Sequence, residues 1–267
     1  MAKTIRANAS VHQGYRTLAE IGRGAYGVVL KAEHRETGEI RAIKSLYDGA
    51  YDEEALRRFK AEAELMHGFD HPNIVRVHEV HLDALSPSIV MDFVDGPDVR
   101  QLIKRDGALP LAEVVHVACD MGRAFDHFHP DVVHRDLKPE NILRQPPDDS
   151  GQASTSGGRA LYVLTDFGIA RKSDLKLTME GQRGTPEYMS PEHVDGKELK
   201  PAADYWGLGV VLYEALTGRV PFELRSGNMG DLAALASAIT TERAPSIRDL
   251  QPLGYPGPEV PDGGRPL

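Results

Sequence analysis

The sequence predicts an α+β fold in two parts, a small antiparallel sheet carrying one helix and then a larger, mainly helical lobe. Three observations carry this. From Tyr15 to Leu46 apolar and polar residues alternate, and Gly22, Gly24, Gly27 and Gly38 punctuate the run, which is the pattern of three consecutive antiparallel strands with the second turn at Thr37-Gly38. After Asp95-Gly96-Pro97 the period becomes helical, with a long amphipathic stretch from Leu111 to Phe128. From Ala203 to Leu216 the apolar residues Trp206, Leu208, Val210, Val211 and Leu212 lie almost all round a helix, so that helix is expected to be buried.

The remaining elements follow in order. Asp52 offers an N-cap to a helix on which Ala55, Phe59, Glu62 and Met66 share one face. Ile74 to Val80 and Ser88 to Phe93 read as two more strands that complete the sheet. Pro146 to Gly158 is rich in Pro, Asp, Ser, Thr and Gly and has too little apolar surface to offset its ordering entropy, so a surface insertion is expected. Pro252 to Leu267 is dominated by Pro and Gly and reads as a tail. The expected organisation is an N-terminal extension over 1–14, a sheet lobe over 15–94, a helical lobe over 95–250 with the insertion at 145–160, and a tail over 251–267.

Composition narrows the function classes. An apolar share of 41% and a charged share of 27% over 267 residues fit a globular protein with a sizeable core. The 31 Lys and Arg stand against 40 Asp and Glu, and a net charge of -9 argues against a surface built to hold nucleic acid. Cys119 is the only cysteine, so no intrachain disulfide exists; a buried position in the helix from Leu111 is expected for it. Met1 to Gln13 lacks the apolar core of a signal peptide and no run is long enough to span a membrane, which points to the cytoplasm. His67, His71, His78, His81, His116, His127 and His129 form no zinc-binding pattern.

Gly22-Arg23-Gly24-Ala25-Tyr26-Gly27-Val28-Val29 fits G-x-G-x-x-G-x-V, in which missing side chains let backbone amides approach phosphate oxygens. The loop joins two strands and opens no helix, which disfavours a dinucleotide-binding fold. Ala42-Ile43-Lys44 lies on the third strand with Lys44 on the face shared with Val29. Glu62 sits on the inward helix face, where a carboxylate needs a cation, and Lys44 is its natural partner. His134-Arg135-Asp136-Leu137-Lys138-Pro139-Glu140-Asn141, followed by Asp166-Phe167-Gly168, supplies a base and two oxygen ligands for metal in a fixed order.

With these motifs the chain resembles the eukaryotic-like protein kinase superfamily, in particular its bacterial serine/threonine branch, from about Tyr15 to Phe222. The resemblance implies the two-lobed protein kinase fold, with ATP and Mg2+ (or Mn2+) in the cleft and Ser or Thr hydroxyls of protein substrates, this chain included, as acceptors. Lys44 is then the phosphate contact paired with Glu62, Asp136 the base, and Asn141 and Asp166 the metal ligands. Lys138 contacts the transferring phosphate, and Thr185 of Gly184-Thr185-Pro186-Glu187-Tyr188-Met189-Ser190-Pro191-Glu192 bonds Asp136 and Lys138. Ile21, Gly22 to Val29, Ala42 and Leu143 join the ATP site, with Met91 behind the adenine and Asp92 to Val94, Val94 among them, as the hinge. Met66, Val77, His134 and Phe167 form the hydrophobic stack between the lobes. Arg135 and Arg171 are expected to hold a phosphate on Thr178, or on Ser173 as the lesser candidate, which orders the loop and switches activity.

Two departures from the family pattern stand out. Between Asn141 and Asp166 lies the insertion. After Pro221-Phe222 only about one further helix fits, near Asp231 to Ile239, and no Arg after Glu192 has the setting expected of its partner, so the helical lobe reads as truncated. That is the feature that suits the alternative, a catalytically silent kinase-like binding module. Thr185 to Glu192 disfavours a third reading, a small-molecule phosphotransferase.

Overall fold

The computed structural model describes residues 14–24, 27–47, 51, 53–82, 87–147, 158–167, 186–224 and 229–248. Strands β1 (Tyr15–Arg23), β2 (Gly27–His34) and β3 (Ile40–Leu46) follow one another as the alternation predicts, and Gly38 takes a φ of 74° in the turn between the last two. Strands β4 (Val77–His81) and β5 (Ser88–Asp92) complete an antiparallel sheet of order β1-β2-β3-β5-β4. Helix α1 (Glu53–His67) packs on β4 through Phe59, Glu62, Ala63 and Met66, the face expected from its period. Its proposed cap, Asp52, lies outside the described residues.

The segment expected as a strand from Ile74 begins pairing in the sheet only at Val77. Asn73 to Val75 are turned to the other lobe: the Val75 amide donates to the Leu164 carbonyl at 2.9 Å, the Leu164 amide donates to the Asn73 carbonyl at 2.9 Å, and Asn73 Nδ2 donates to the Tyr162 carbonyl at 2.9 Å. Backbone groups that would have extended the ladder are thus satisfied by the second lobe, which fixes the two halves against each other.

The helical lobe contains α2 (Val99–Asp106), α3 (Leu111–Phe128), the hairpin β6 (Ile142–Gln145) and β7 (Leu161–Leu164), α4 (Pro191–Val194), α5 (Pro201–Thr217) and α6 (Met229–Thr241). Asp98 and Gln101 form a reciprocal capping box at the start of α2. The bounds of α3 match those read from the sequence, but Cys119 is exposed, because it follows Leu111 and Val115 along the outward stripe while Val114, Val117, Met121 and Phe125 face the core. Helix α5 is covered less completely than its composition suggests: Leu208, Val210 and Val211 are buried and Tyr205 is 52% exposed. Phe222, Leu235 and Ile239 form a small cluster of their own between α6 and the segment after α5, with Val194 of α4 and Trp206 near the start of α5 against it. No helix among the described residues is long and apolar enough to cross a membrane.

Candidate active site

Three parts of the chain meet in the cleft between the lobes. The first is the hairpin of β1 and β2, where Gly22 pairs with Val29 and Arg23 with Val28, and the Gly24 amide donates to the Gly27 carbonyl at 2.8 Å. A Cβ on Gly27 would stand 2.3 Å from the Ser45 carbonyl oxygen of β3, so only glycine lets the loop close onto the sheet. Arg23 turns its side chain outward to Glu20 and Tyr47, which leaves its backbone as the part at the loop, and Ile21 beside it is half exposed. Ala25 and Tyr26 lie outside the described residues. Ala42 and Met91 are buried and paired across β3 and β5, with Val29, Val94 and Leu143 packed against the same cluster. The Asp92 amide donates to the Arg76 carbonyl at 2.9 Å, and the Lys31 ammonium lies 4.1 Å from the Phe93 ring centre beside it.

The second part is ionic. Lys44 Nζ donates to Glu62 Oε1 at 2.6 Å and to Asp166 Oδ1 at 2.8 Å. Burial alone would favour the neutral amine, but the Asp166 and Glu62 carboxylates outweigh it and hold the Lys44 pKa above the usual lysine value. Burial lifts the Glu62 carboxyl above its usual range, against the pull of Lys44. Burial acts the same way on Asp166, but Lys44 and, more weakly, Lys138 outweigh it and bring it below the usual value. Lysine, helix carboxylate and cleft carboxylate thus form one ion cluster, buried at Glu62 and open to the cleft at Asp166.

The third part is the loop from His134 to the 3-10 turn Pro139–Asn141. Lys138 Nζ donates to Asp136 Oδ2 at 2.7 Å, and Asn141 Nδ2 donates to the Asp136 carbonyl at 2.8 Å, so its amide oxygen is the end able to ligate a cation. Arg135 and Asp166 both have left-handed backbones, with φ of 69° and 56°. Non-glycine residues adopt that region only where the surroundings over-determine it. For Arg135 the surroundings include Asp204 at the start of α5, whose carboxylate accepts from the His134 amide at 2.7 Å and from the Arg135 amide at 2.9 Å. His129 Nε2 donates to the same carboxylate at 3.0 Å. His134 Nε2 donates to the Thr165 carbonyl while Nδ1 accepts from the Asp136 amide; burial lowers the pKa of this neutral ring. Its ring lies 4.7 Å from that of Phe167, and both belong with Met66 and Val77 to the buried middle of the molecule.

The protein kinase domain family matches residues 15–251. The chain belongs to the protein kinase family. It is 38% identical to the serine/threonine-protein kinase PkaA of Streptomyces coelicolor over 76% of this chain and 38% of that protein. To the probable serine/threonine-protein kinase PknB of Lactococcus lactis it is 35% identical over 89% of this chain and 36% of that protein. To the serine/threonine-protein kinase PkaB of Streptomyces coelicolor it is 36% identical, over 83% of this chain and 51% of that protein. The kinase domain therefore spans from about a third to a half of the length of these curated relatives.

Thr185, Thr178, Ser173, Arg171 and Gly168 lie outside the described residues of this kinase domain. Arg135 is described, and its Nε is buried with no hydrogen-bond partner among the described residues. Glu192 is exposed at the start of α4. Two residues that the fold brings to the site belong to none of the motifs. Asp204 could have been noticed as a carboxylate opening an otherwise apolar helix, which burial makes expensive without donors. Arg100 gave no such signal, since an arginine near the start of an amphipathic helix is ordinarily a solvated charge. Its Nε donates to Glu140 Oε1 at 3.0 Å, and it also bonds Glu214 and the Tyr188 hydroxyl.

Proposed function

We propose that this kinase domain transfers the γ-phosphate of ATP to serine or threonine hydroxyls of protein substrates, itself among them. The observation that carries the reading is the joining of Lys44, Glu62 and Asp166 in one ion cluster beside a loop that presents Asp136, Lys138 and Asn141. Gly22 to Val29 cover the phosphates, Lys44 holds the α and β phosphates, and Glu62 keeps Lys44 aimed into the cleft. Ala42, Met91 and Leu143 enclose the adenine, whose edge bonds the backbone of Asp92 and Val94.

Asn141 and Asp166 offer hard oxygen donors of the kind Mg2+ takes. The metal, when bound, neutralises charge on the phosphate oxygens. Asp136 accepts the proton of the acceptor hydroxyl, Lys138 steadies the transferring group, and Thr185 bonds both. Residues 15–94 supply most of the nucleotide contacts, and 95–250 supply the catalytic loop, Leu143, the metal-directed oxygens and the acceptor side. The lone cysteine and the need for ATP fit the cytoplasm. A phosphate on Thr178, or failing that on Ser173, completes the environment of Arg135 and Arg171 and orders the segment carrying Thr185; the buried Arg135 Nε supports this.

Transfer from radiolabelled ATP to casein tests the reading. Asp136→Asn and Lys44→Met are each expected to reduce transfer by about a thousandfold or more with folding verified by circular dichroism. Near-parental turnover in either folded variant would overturn the mechanism.

A further inference from the structure

Arg100 has no part in the chemistry proposed above, yet its surroundings adjoin the acceptor side of the cleft. It enters from α2, and its guanidinium is shared among groups from three other parts of the chain. Nε donates to Glu140 Oε1 at 3.0 Å, one residue before Asn141; Nη1 donates to Glu214 Oε1 on α5; Nη2 donates to the Tyr188 hydroxyl, which donates in turn to Glu214 Oε2. Tyr188 lines a cavity together with Arg135, Asp136 and Leu137. Glu187, beside it, is held above the usual carboxylate pKa by burial, with Glu214 adding to the shift and Arg100 opposing it.

We propose that Arg100 is a built-in occupant of an acidic socket beside the catalytic loop, and that by filling it Arg100 removes a preference for basic side chains near the acceptor hydroxyl. The proposal rests on the kinase reading for its substrate meaning. The Glu214 side chain is 6% exposed, with the Arg100 guanidinium on one oxygen and the Tyr188 hydroxyl on the other, so its charge is already matched and its face closed to an outside cation. Glu140 keeps one buried oxygen without a partner among the described residues, but its other oxygen is held by Arg100 Nε, so this carboxylate too already has its cation. Arg100 reaches carboxylates and hydroxyl together because its donors form a planar fork, which a lysine ammonium does not reproduce. Without Arg100, Glu214 becomes a buried carboxylate lacking a cation, and a guanidinium from outside the chain is the group that satisfies it.

The experiment compares the parental domain, Arg100→Ala, and Arg100→Ala combined with Glu214→Gln. Paired acceptor peptides differ only by arginine or norleucine, scanned through the positions flanking the phosphorylated serine. The kcat/KM ratio of the pair is expected to stay below about tenfold at every position in the parental domain and to exceed about thirtyfold at one position in Arg100→Ala. The added Glu214→Gln should return it toward the parental value. Melting in millimolar methylguanidinium provides a second readout that needs no catalysis: the midpoint rises for Arg100→Ala and is unchanged for the other two proteins. If Arg100→Ala does not fold alone, the same prediction reads as recovery of soluble protein when methylguanidinium is present. A parental ratio above about tenfold, or an Arg100→Ala protein that methylguanidinium neither stabilises nor rescues, overturns the proposal. Failure of the kinase reading itself shows separately, as absence of transfer by the parental domain to any acceptor while the methylguanidinium response persists.

Discussion

Replacing Asp204 with alanine removes the acceptor of two backbone amides in the middle of the protein, those of His134 and Arg135, and of the His129 ring N–H. Asp204 is 1% exposed and His134 0% exposed, so water does not replace the lost partner. Each buried donor left unpaired costs about 1–3 kcal/mol, and part of that is regained by relaxation, giving about 3–5 kcal/mol for the set. For a chain of this size about 1 kcal/mol moves the melting midpoint by about 2–4 °C, so Asp204→Ala should melt about 10 °C below the parent. Asp204→Asn keeps one carbonyl oxygen but turns an amide N–H toward the other donors, and should fall between. The same bonds hold Arg135 at its φ of 69° and so aim Asp136, and turnover should drop about a hundredfold. The KM for ATP should change much less, because Lys44, Glu62 and Asp166 are held independently. Calorimetric melting and steady-state kinetics on the three proteins make the comparison. An Asp204→Ala protein melting within about 2 °C of the parent would refute the claim that this carboxylate anchors the loop.

Two further outcomes follow from glycine geometry and from titration. Gly27→Ala places a Cβ against the Ser45 carbonyl oxygen at 2.3 Å, whereas in Gly24→Ala the nearest atom is 3.7 Å away, so the first should lower both the melting midpoint and ATP affinity while the second leaves the midpoint unchanged. Equal midpoints for the two would contradict the stated clash. Burial lowers the pKa of His134 and of His71 from 6.5, so below that value the unfolded chain binds protons that the folded chain refuses, and stability falls as pH drops through 6.5. Asp120 titrates at lower pH: burial raises its carboxyl, but Arg159, the Tyr162 amide and Arg123 lower it below 3.8 overall, a contribution present above 3.8 and lost as pH falls below it. Urea midpoints against pH should show both declines, with the acidic one reduced in Asp120→Asn and the rest carried by carboxylates such as Glu113 and Asp166 that are also lowered; a flat profile from pH 7 to 5 would remove the histidine argument.

The order of the elements and the contiguous motifs are legible in the residues alone. Alternation gave β1 to β3 and the helical period gave α3 with its observed bounds, because both signals come from residues a few positions apart. Lys44 and Glu62 could be paired in advance, since a carboxylate on an inward helix face has few cations within reach of one small sheet. Cys119 went the other way: composition favoured burial, and the phase of α3 placed it outside. Which distant residues complete the site emerges only when the chain is packed. Arg100 and Glu214 stand 114 positions apart, and His134 and Asp204 stand 70 apart. No local pattern encodes either pairing, because each arises only once α5 packs beneath α2 and the catalytic loop. There the cost of burying a charge or an amide without a partner selects the one geometry in which each finds its own.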